Sequence, residues 1–244
     1  MTRRVGNTSS LRWKNLWTIG AIVLMTWALA LWGAAATPAD EVTKTFPVTG
    51  HARVHVETDD GAVRVSTGDI KQIEVRVDYS GYKLDKDLRV STSQNGDSVD
   101  VSVKTGGSLW RWGVRHTSLR VEIHMPKEAD LTIRTGDGSV EADSISGNVD
   151  VTSGDGSVNA RATAGSKVQS TWTIHTGDGS VDIEIPGDLQ ADIDASTHDG
   201  HISLGLPVTV EGTFSSSQIR GKMNGGGQSL TIRTGDGSIH LSKS

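Results

Sequence analysis

The sequence predicts an all-β protein, a right-handed β-solenoid in which short strands stack as repeated coils behind an N-terminal apolar segment. Three observations support this prediction: a recurring six-residue motif, apolar residues that alternate with polar ones on both sides of it, and an aromatic content of only 5%. A thin aliphatic interior repeated along an axis suits such a composition. An antiparallel β-sandwich is the alternative, because Asp-Gly between alternating strands is also a strong hairpin signal.

The motif is Thr-Gly-Asp-Gly-Ser-Val at residues 135–140. Its other copies begin at Thr58, Ser153, Thr176, Thr197 and Thr234. The copies at Thr58 and Thr197 are degenerate. Leu131 and Ile133 precede the first copy at alternate positions, which predicts a strand with one buried face. Gly-Asp-Gly is the predicted turn, since Gly adopts positive φ freely and Asp tolerates the left-handed region. The Thr before each turn continues the inward register and is expected to close the core.

The repeats extend over residues 54–242, and no helix is predicted after the leader. Residues 88–103 are predicted to be a repeat with a longer loop. The 37 residues that separate Thr197 from Thr234 are expected to hold one more coil, whose turn has lost the motif. Near-identical turns favour coils stacked in register, with like residues about 4.8 Å apart.

The N-terminal region predicts an exported protein. Residues 1–15 carry four basic residues and no acid, and residues 16–36 are apolar for long enough to span a bilayer. The positive-inside rule places the residues that follow this segment outside the cytoplasm. The segment is either a single-pass membrane anchor or a signal peptide cut after Ala34-Ala35-Ala36, which would leave a secreted or periplasmic protein. Residues 37–45 are predicted to be a linker and residues 46–244 the repetitive domain.

The charge balance and the absence of cysteine limit the partners and the cross-links of the chain. Residues 37–244 carry 20 basic against 29 acidic residues, which argues against nucleic acid as a partner. The chain has no cysteine, so disulfides and thiolate metal sites are excluded.

Met125-Pro126-Lys127, followed by the alternating residues and the motif at 131–140, resembles a bacterial family of putative adhesins with β-strand repeats. The resemblance covers residues 50–244. It implies a β-helix-like fold at the cell surface, and it brings no catalytic residues with it.

The sequence contains two candidate sites, of which the first depends on the stacking of the coils. The Asp column comprises the motif carboxylates Asp137, Asp155, Asp178, Asp199 and Asp236. Stacked carboxylates could bind Ca²⁺ with the millimolar affinity of extracellular modules, or could be turn residues only. The second candidate is Trp110-Arg111-Trp112, a loop tip that is either a binding surface for glycan or protein or a cover for an open end of the β stack.

The sequence thus predicts a non-enzymatic protein of the cell envelope that presents a repetitive β surface for adhesion or scaffolding to an unidentified glycan or protein. No nucleophile elbow, phosphate loop or His-Glu metal motif is present. A polysaccharide-acting β-helix enzyme and a sensory or regulatory envelope domain are the alternatives. A flat, repetitive face favours binding, whereas one deep groove lined by unlike polar residues favours an enzyme.

Overall fold

The computed structural model describes residues 40–106, 117–162 and 170–244, with the backbone alone for residues 210–214. The contacts divide the chain into two units, Met1–Pro38 and Ala39–Ser244, and the second, here called the body, has its own core. In these three ranges every regular element is a strand, and no helix is long and apolar enough to cross a membrane. The predicted anchor at 16–36 and the predicted tip at 110–112 lie outside the described residues.

The described residues form nineteen strands in two sheets. Sheet A consists, in spatial order, of β1 (Asp40–Pro47), β4 (Gln72–Ser80), β7 (Ser118–Pro126), β3 (Ala62–Gly68), β9 (Val140–Ile145), β11 (Val158–Ala162), β13 (Val181–Ile185), β19 (Ile239–Lys243) and β15 (Ile202–Leu204). Sheet B consists of β16 (Thr209–Phe214), β17 (Gln218–Met223), β14 (Ala191–Thr197), β18 (Gln228–Thr234), β12 (Thr171–Thr176), β10 (Val149–Ser153), β8 (Asp130–Thr135), β2 (Arg53–Thr58), β6 (Ser98–Thr105) and β5 (Leu88–Asn95).

The repeated strands pair in parallel and in register, which confirms the solenoid and decides against the antiparallel sandwich. In sheet B, Leu131 of β8 lies beside Val149 of β10, and Thr135 lies beside Ser153. Each motif turn leads from a strand of sheet B to a strand of sheet A, so that one coil contributes one strand to each sheet.

Aliphatic side chains from the two inner faces fill the space between the sheets. The alternation seen in the sequence becomes alternating burial; in β8, for example, Leu131, Ile133 and Thr135 are buried. Equivalent residues of successive coils stack into columns. One such column contains Val56, Ile133, Val151, Ile174, Ile232 and Ala195. These side chains are no more than 1% exposed.

The coils do not stack in the order in which the chain makes them. Named by the first residue of each turn, the spatial order is Thr58, Thr135, Ser153, Thr176, Thr234 and Thr197. The last coil of the chain is therefore inserted between the two that precede it, with β18 parallel to both β12 and β14. The first coil is enclosed in the same way, because β2 lies between β6 and β8, and β3 between β7 and β9.

Antiparallel strands border the stack and correct three of the predictions. Residues 88–103 belong to the hairpin β5–β6, in which Gly96 has φ +60°, and they do not form a coil. The interval after Thr197 contains β16 and β17, which pair antiparallel beside β14. The predicted linker at 37–45 is a strand from Asp40 onward, because β1 pairs antiparallel with β4.

The motif glycines do not serve the purpose that the sequence suggested. The glycines of the five motif turns at residues 135–237 lack positive φ, and so do their aspartates. Instead, they allow the backbones of adjacent turns to approach closely. A Cβ at Gly156 would lie 2.0 Å from the carbonyl oxygen of Gly138 in the next coil. Glycine recurs because the backbones of adjacent turns touch, and a side chain would separate them.

Candidate functional site

Buried hydroxyl groups join the coils along the corner that the motif turns form. The Thr176 hydroxyl donates to the Gly156 carbonyl of the adjacent coil at 3.0 Å, and the Thr234 hydroxyl donates to that of Gly179 at 2.8 Å. The Ser153 hydroxyl also accepts a hydrogen bond, from the Gly156 N–H of its own turn. The first residue of every motif turn is buried, as the alternation predicted. The corner is therefore structural, and its polar groups are bonded to one another.

The Asp column lies on the outside of this corner. All five carboxylate side chains are exposed, and their order in the stack is Asp137, Asp155, Asp178, Asp236 and Asp199. The backbone N–H of Asp155 donates to the Gly136 oxygen of the adjacent coil at 3.1 Å. Within the described parts of the chain no three His, Cys, Asp or Glu side chains are grouped to hold a metal ion. Calcium binding by the Asp column stays a prediction.

The outer face of sheet A is covered by ion pairs between neighbouring strands. Arg64 Nε lies 2.8 Å from the Glu141 carboxylate. Arg161 bridges two acids, with Nε 2.7 Å from Glu184 and Nη1 3.0 Å from Asp143. These charges are satisfied by neighbouring strands, and each exposed pair is worth little for stability.

The outer face of sheet B contains a polar depression of about 460 Å³. The depression lies across β6, β2, β8, β10 and β12. Its polar lining consists of Arg53, His55, Ser98, Asp130, Thr132, Asn148, Asp150, Thr171 and Thr173. The apolar residues that also line it, Val54, Leu131 and Val149, are at most 2% exposed, so that side chains of polar residues form its surface.

A hydrogen-bond network holds one rim of the polar depression in place. Asp130 accepts from the backbone N–H of Asn148 at 3.0 Å and from its side-chain amide at 2.9 Å, while His51 Nε2 lies 3.0 Å from the other carboxylate oxygen. The Asn148 side-chain oxygen accepts from the Thr171 N–H at 2.8 Å. One side chain therefore connects the starts of β8, β10 and β12.

The Asp130 carboxylate is stabilised in its charged form. Partial burial raises the pKa of Asp130, but hydrogen bonds from Asn148 and His51 outweigh it, and the net effect is a pKa below the usual value. Arg53 and Asp150, by contrast, make no ion pair with any described residue, although both are exposed. The polar depression thus combines one fixed carboxylate with a free guanidinium and a free carboxylate.

A straight row of polar residues, the central row, runs through the polar depression and onward across the strands. It consists of His55, Thr132, Asp150, Thr173, Thr231 and Asp194. At the far end, Arg233 and Arg220 approach Asp194 to 3.0 and 2.8 Å. The hydrogen bond from Arg233 lowers the pKa of Asp194, burial opposes this, and Arg220 adds to the lowering. Asp194 at that end is engaged in ion pairs, whereas Asp150 in the polar depression is not.

Sequence reasoning did not single out the polar depression. Its residues carry no motif of their own, and the candidate carboxylates of the sequence analysis lie at the motif turns instead. A signal was available, however: Asp130 and Asn148 lie five positions before a motif turn, as do Arg53 and Thr171. Aligning the copies on their turns would have placed these side chains in one row on one face.

Coils in register, a bonded corner and a polar outer face define a β-solenoid with a candidate binding surface. The family model described as Toastrack DUF4097 matches residues 114–242. This match covers more than half of the chain, and the chain belongs to that family. The resemblance seen in the sequence is thereby confirmed at the level of the domain.

A solved structure shares the fold at low sequence identity. A putative cell adhesion protein from Clostridium sporogenes has a TM-score of 0.68 and 17% identity, and the similarity covers 84% of this chain and 100% of that one. A putative adhesin from Bacteroides fragilis has a TM-score of 0.31 and 8% identity, over 83% and 97% of the two chains. No curated protein matches the sequence.

Proposed function

We propose that this chain is a non-enzymatic protein of the cell envelope that presents the outer face of sheet B to a ligand for adhesion or scaffolding. In this proposal residues 16–36 either tether the body to the membrane or direct its export, and the body lies outside the cytoplasm. The ligand is a glycan or a protein of a cell surface or matrix. The description of a structural relative as a putative cell adhesion protein agrees with this role.

The observation that carries the proposal is the polar depression on sheet B, in which two charged groups have no ion pair. On sheet A, Arg64 and Arg161 are paired with neighbouring carboxylates. On sheet B, Arg53 and Asp150 are exposed and lack an ion pair among the described residues, within a depression whose opposite rim is fixed. Polar groups that are held in place and still have bonding capacity are what a ligand can use at low entropic cost.

The same geometry favours binding over catalysis. A general acid at neutral pH needs a raised pKa, whereas hydrogen bonds lower the pKa of Asp130. The motif carboxylates repeat along an exposed corner, which indicates architecture more than a single tuned site. Release of reducing ends from a polysaccharide by the body, abolished by one Asp→Asn change, would instead establish the enzyme.

The experiment compares the two faces of the body, residues 39–244, in adhesion to immobilised glycans, matrix proteins and bacterial cells. A sheet B variant combines Arg53→Ala with Thr173→Ala, and its matched control combines Arg64→Ala with Asn159→Ala on sheet A. We expect the sheet B variant alone to lose adhesion. Equal adhesion by both variants would exclude sheet B as the binding face, and absence of adhesion to every surface would refute the proposed function.

A further inference from the structure

We infer that the polar depression is a binding subsite for a neutral saccharide chain that lies along the central row, across the strands of sheet B. This inference rests on the proposed function and specifies its ligand and its site. It follows from which polar groups the polar depression offers, from which ligands those groups exclude, and from the direction in which the row continues.

The polar side chains of the depression can form hydrogen bonds with the hydroxyls of a sugar. Arg53 provides several N–H donors in a planar fork, Asp150 provides two acceptor oxygens, and the Thr173 hydroxyl both donates and accepts. A sugar ring carries adjacent hydroxyls, each of which can donate to a carboxylate or accept from a guanidinium. Hydrogen bonds to charged partners are the stronger kind, so that one carboxylate and one guanidinium can orient a neutral ring.

Other ligand classes fit less well. The polar depression has one Arg against Asp130 and Asp150, a balance that disfavours polyanions such as nucleic acid. Its apolar lining residues are almost completely covered, so that lipid or apolar peptide side chains would find little contact area. An extended peptide cannot add a strand here, because the backbone groups of β8 and β10 are already paired on both sides.

One rim of the polar depression is also preorganised by contacts within the protein. The Asn148 side chain joins Asp130 to the Thr171 backbone, and the buried Trp172 indole donates to the Gly147 carbonyl at 3.2 Å. A Cβ at Gly147 would lie 2.2 Å from the Ala129 carbonyl oxygen, so the turn that carries Asn148 is packed directly on the neighbouring coil. Little conformational freedom remains to be lost at this rim.

The direction of the ligand follows from the stacking. Beyond Asp150, the central row continues through the Thr173 and Thr231 hydroxyls, one per strand and about 4.8 Å apart. A linear chain of sugars laid across the strands meets a new hydroxyl at every coil. Longer oligosaccharides therefore gain contacts along the row until the ion pairs of Asp194 close it.

The test measures binding of the body to dextran, mannan and laminarin as neutral probes, with alginate as an acidic and chitosan as a cationic probe. Asp150→Ala removes the free carboxylate, and Asp182→Ala is the matched control, an exposed aspartate on the outer face of β13 in sheet A. We expect Asp150→Ala to weaken binding of a neutral probe at least tenfold and the control to leave it unchanged. Thr231→Val removes one hydroxyl of the central row and should weaken the binding of long oligosaccharides more than that of short ones. Val suits a strand equally well, so this variant should keep the fold.

Several outcomes overturn the inference while leaving the proposed function intact. These are neutral binding that Asp150→Ala does not affect, binding of alginate or chitosan alone, and adhesion to a matrix protein without binding of any polysaccharide. Failure to bind any polysaccharide, matrix protein or cell would instead refute both. Melting temperatures of the variants must remain within a few degrees of the parent, which shows that each body is folded.

Discussion

Gly156→Ala tests whether close stacking of the turns, and not their conformation, requires glycine. The new Cβ would lie 2.0 Å from the Gly138 oxygen, whereas real Cβ atoms keep at least 3.0 Å, so the two coils must separate by at least 1 Å. Separation lengthens the hydrogen bonds from Gly154 N–H to the Gly136 oxygen, now 2.7 Å, and from the Ser153 hydroxyl to Gly138, now 3.3 Å. Overpacking costs about 1–3 kcal/mol, and each weakened hydrogen bond up to about 1.5 kcal/mol. We therefore expect a loss of about 4 kcal/mol.

The measurement is urea unfolding of the body followed by far-UV circular dichroism. For a domain of this size a loss of about 4 kcal/mol corresponds to a fall in melting temperature of roughly 8–16 °C. The matched control is Gly106→Ala, because a Cβ there meets no atom within 4 Å, and it should change the free energy of unfolding by less than about 0.5 kcal/mol. A loss below about 1 kcal/mol for Gly156→Ala would refute the stacking argument.

Four further outcomes are expected. Thr176→Val removes the hydroxyl that donates to Gly156 and should cost about 1–3 kcal/mol of unfolding free energy; Thr176→Ser keeps the donor, and a serine variant no more stable than the valine variant would contradict this. Asp130 has a lowered folded pKa, so its stabilisation is present above the unfolded pKa of about 3.9 and is lost as pH falls through the folded value. Asp130→Asn should flatten the fall in stability below about pH 4, and a curve parallel to the parent's would show that the carboxylate is unimportant. If the Asp column binds Ca²⁺, about 5–10 mM of the ion raises the melting temperature of the body, and an unchanged value rejects that site. Trp110→Ala with Trp112→Ala should lower adhesion without changing the melting temperature, whereas a large fall in melting temperature would assign the tip to covering the stack.

Local patterns made the coil predictable. Alternation around each copy identified the buried face, and Leu131, Ile133 and Thr135 lie where the pattern placed them. The recurrence of one turn distinguished stacking from a sandwich, since parallel coils repeat the same backbone contact. The reason for glycine could not be inferred, because positive φ and close approach both select glycine and only the neighbouring coil distinguishes them.

The spatial order of the last two coils, and the position of the β5–β6 hairpin beside β2, could not be predicted. Nothing in the copies at Thr197 and Thr234 indicates that the later one lies nearer to Thr176. Residues 88–103 alternate as a coil would, yet pair antiparallel, because one strand pattern serves both arrangements. The polar depression was predictable in part: its residues on β2, β8, β10 and β12 follow from alignment of the motif turns, whereas Ser98 joins them only because β6 pairs with β2, which is long-range information.

The enclosure of the first and last coils limits how a protein of this design can change in length. The Thr234 coil lies between two other coils, and the Thr58 coil lies between the Thr135 coil and the strands β6 and β7, so a unit that continued either of them would find no open side on which to stack. Growth or shortening must therefore occur in the interior of the gene, by duplication or deletion between the Thr135 and Thr176 coils, which follow one another both along the chain and in space. Relatives of different length are expected to differ in the number of these middle units, with their first and last units retained.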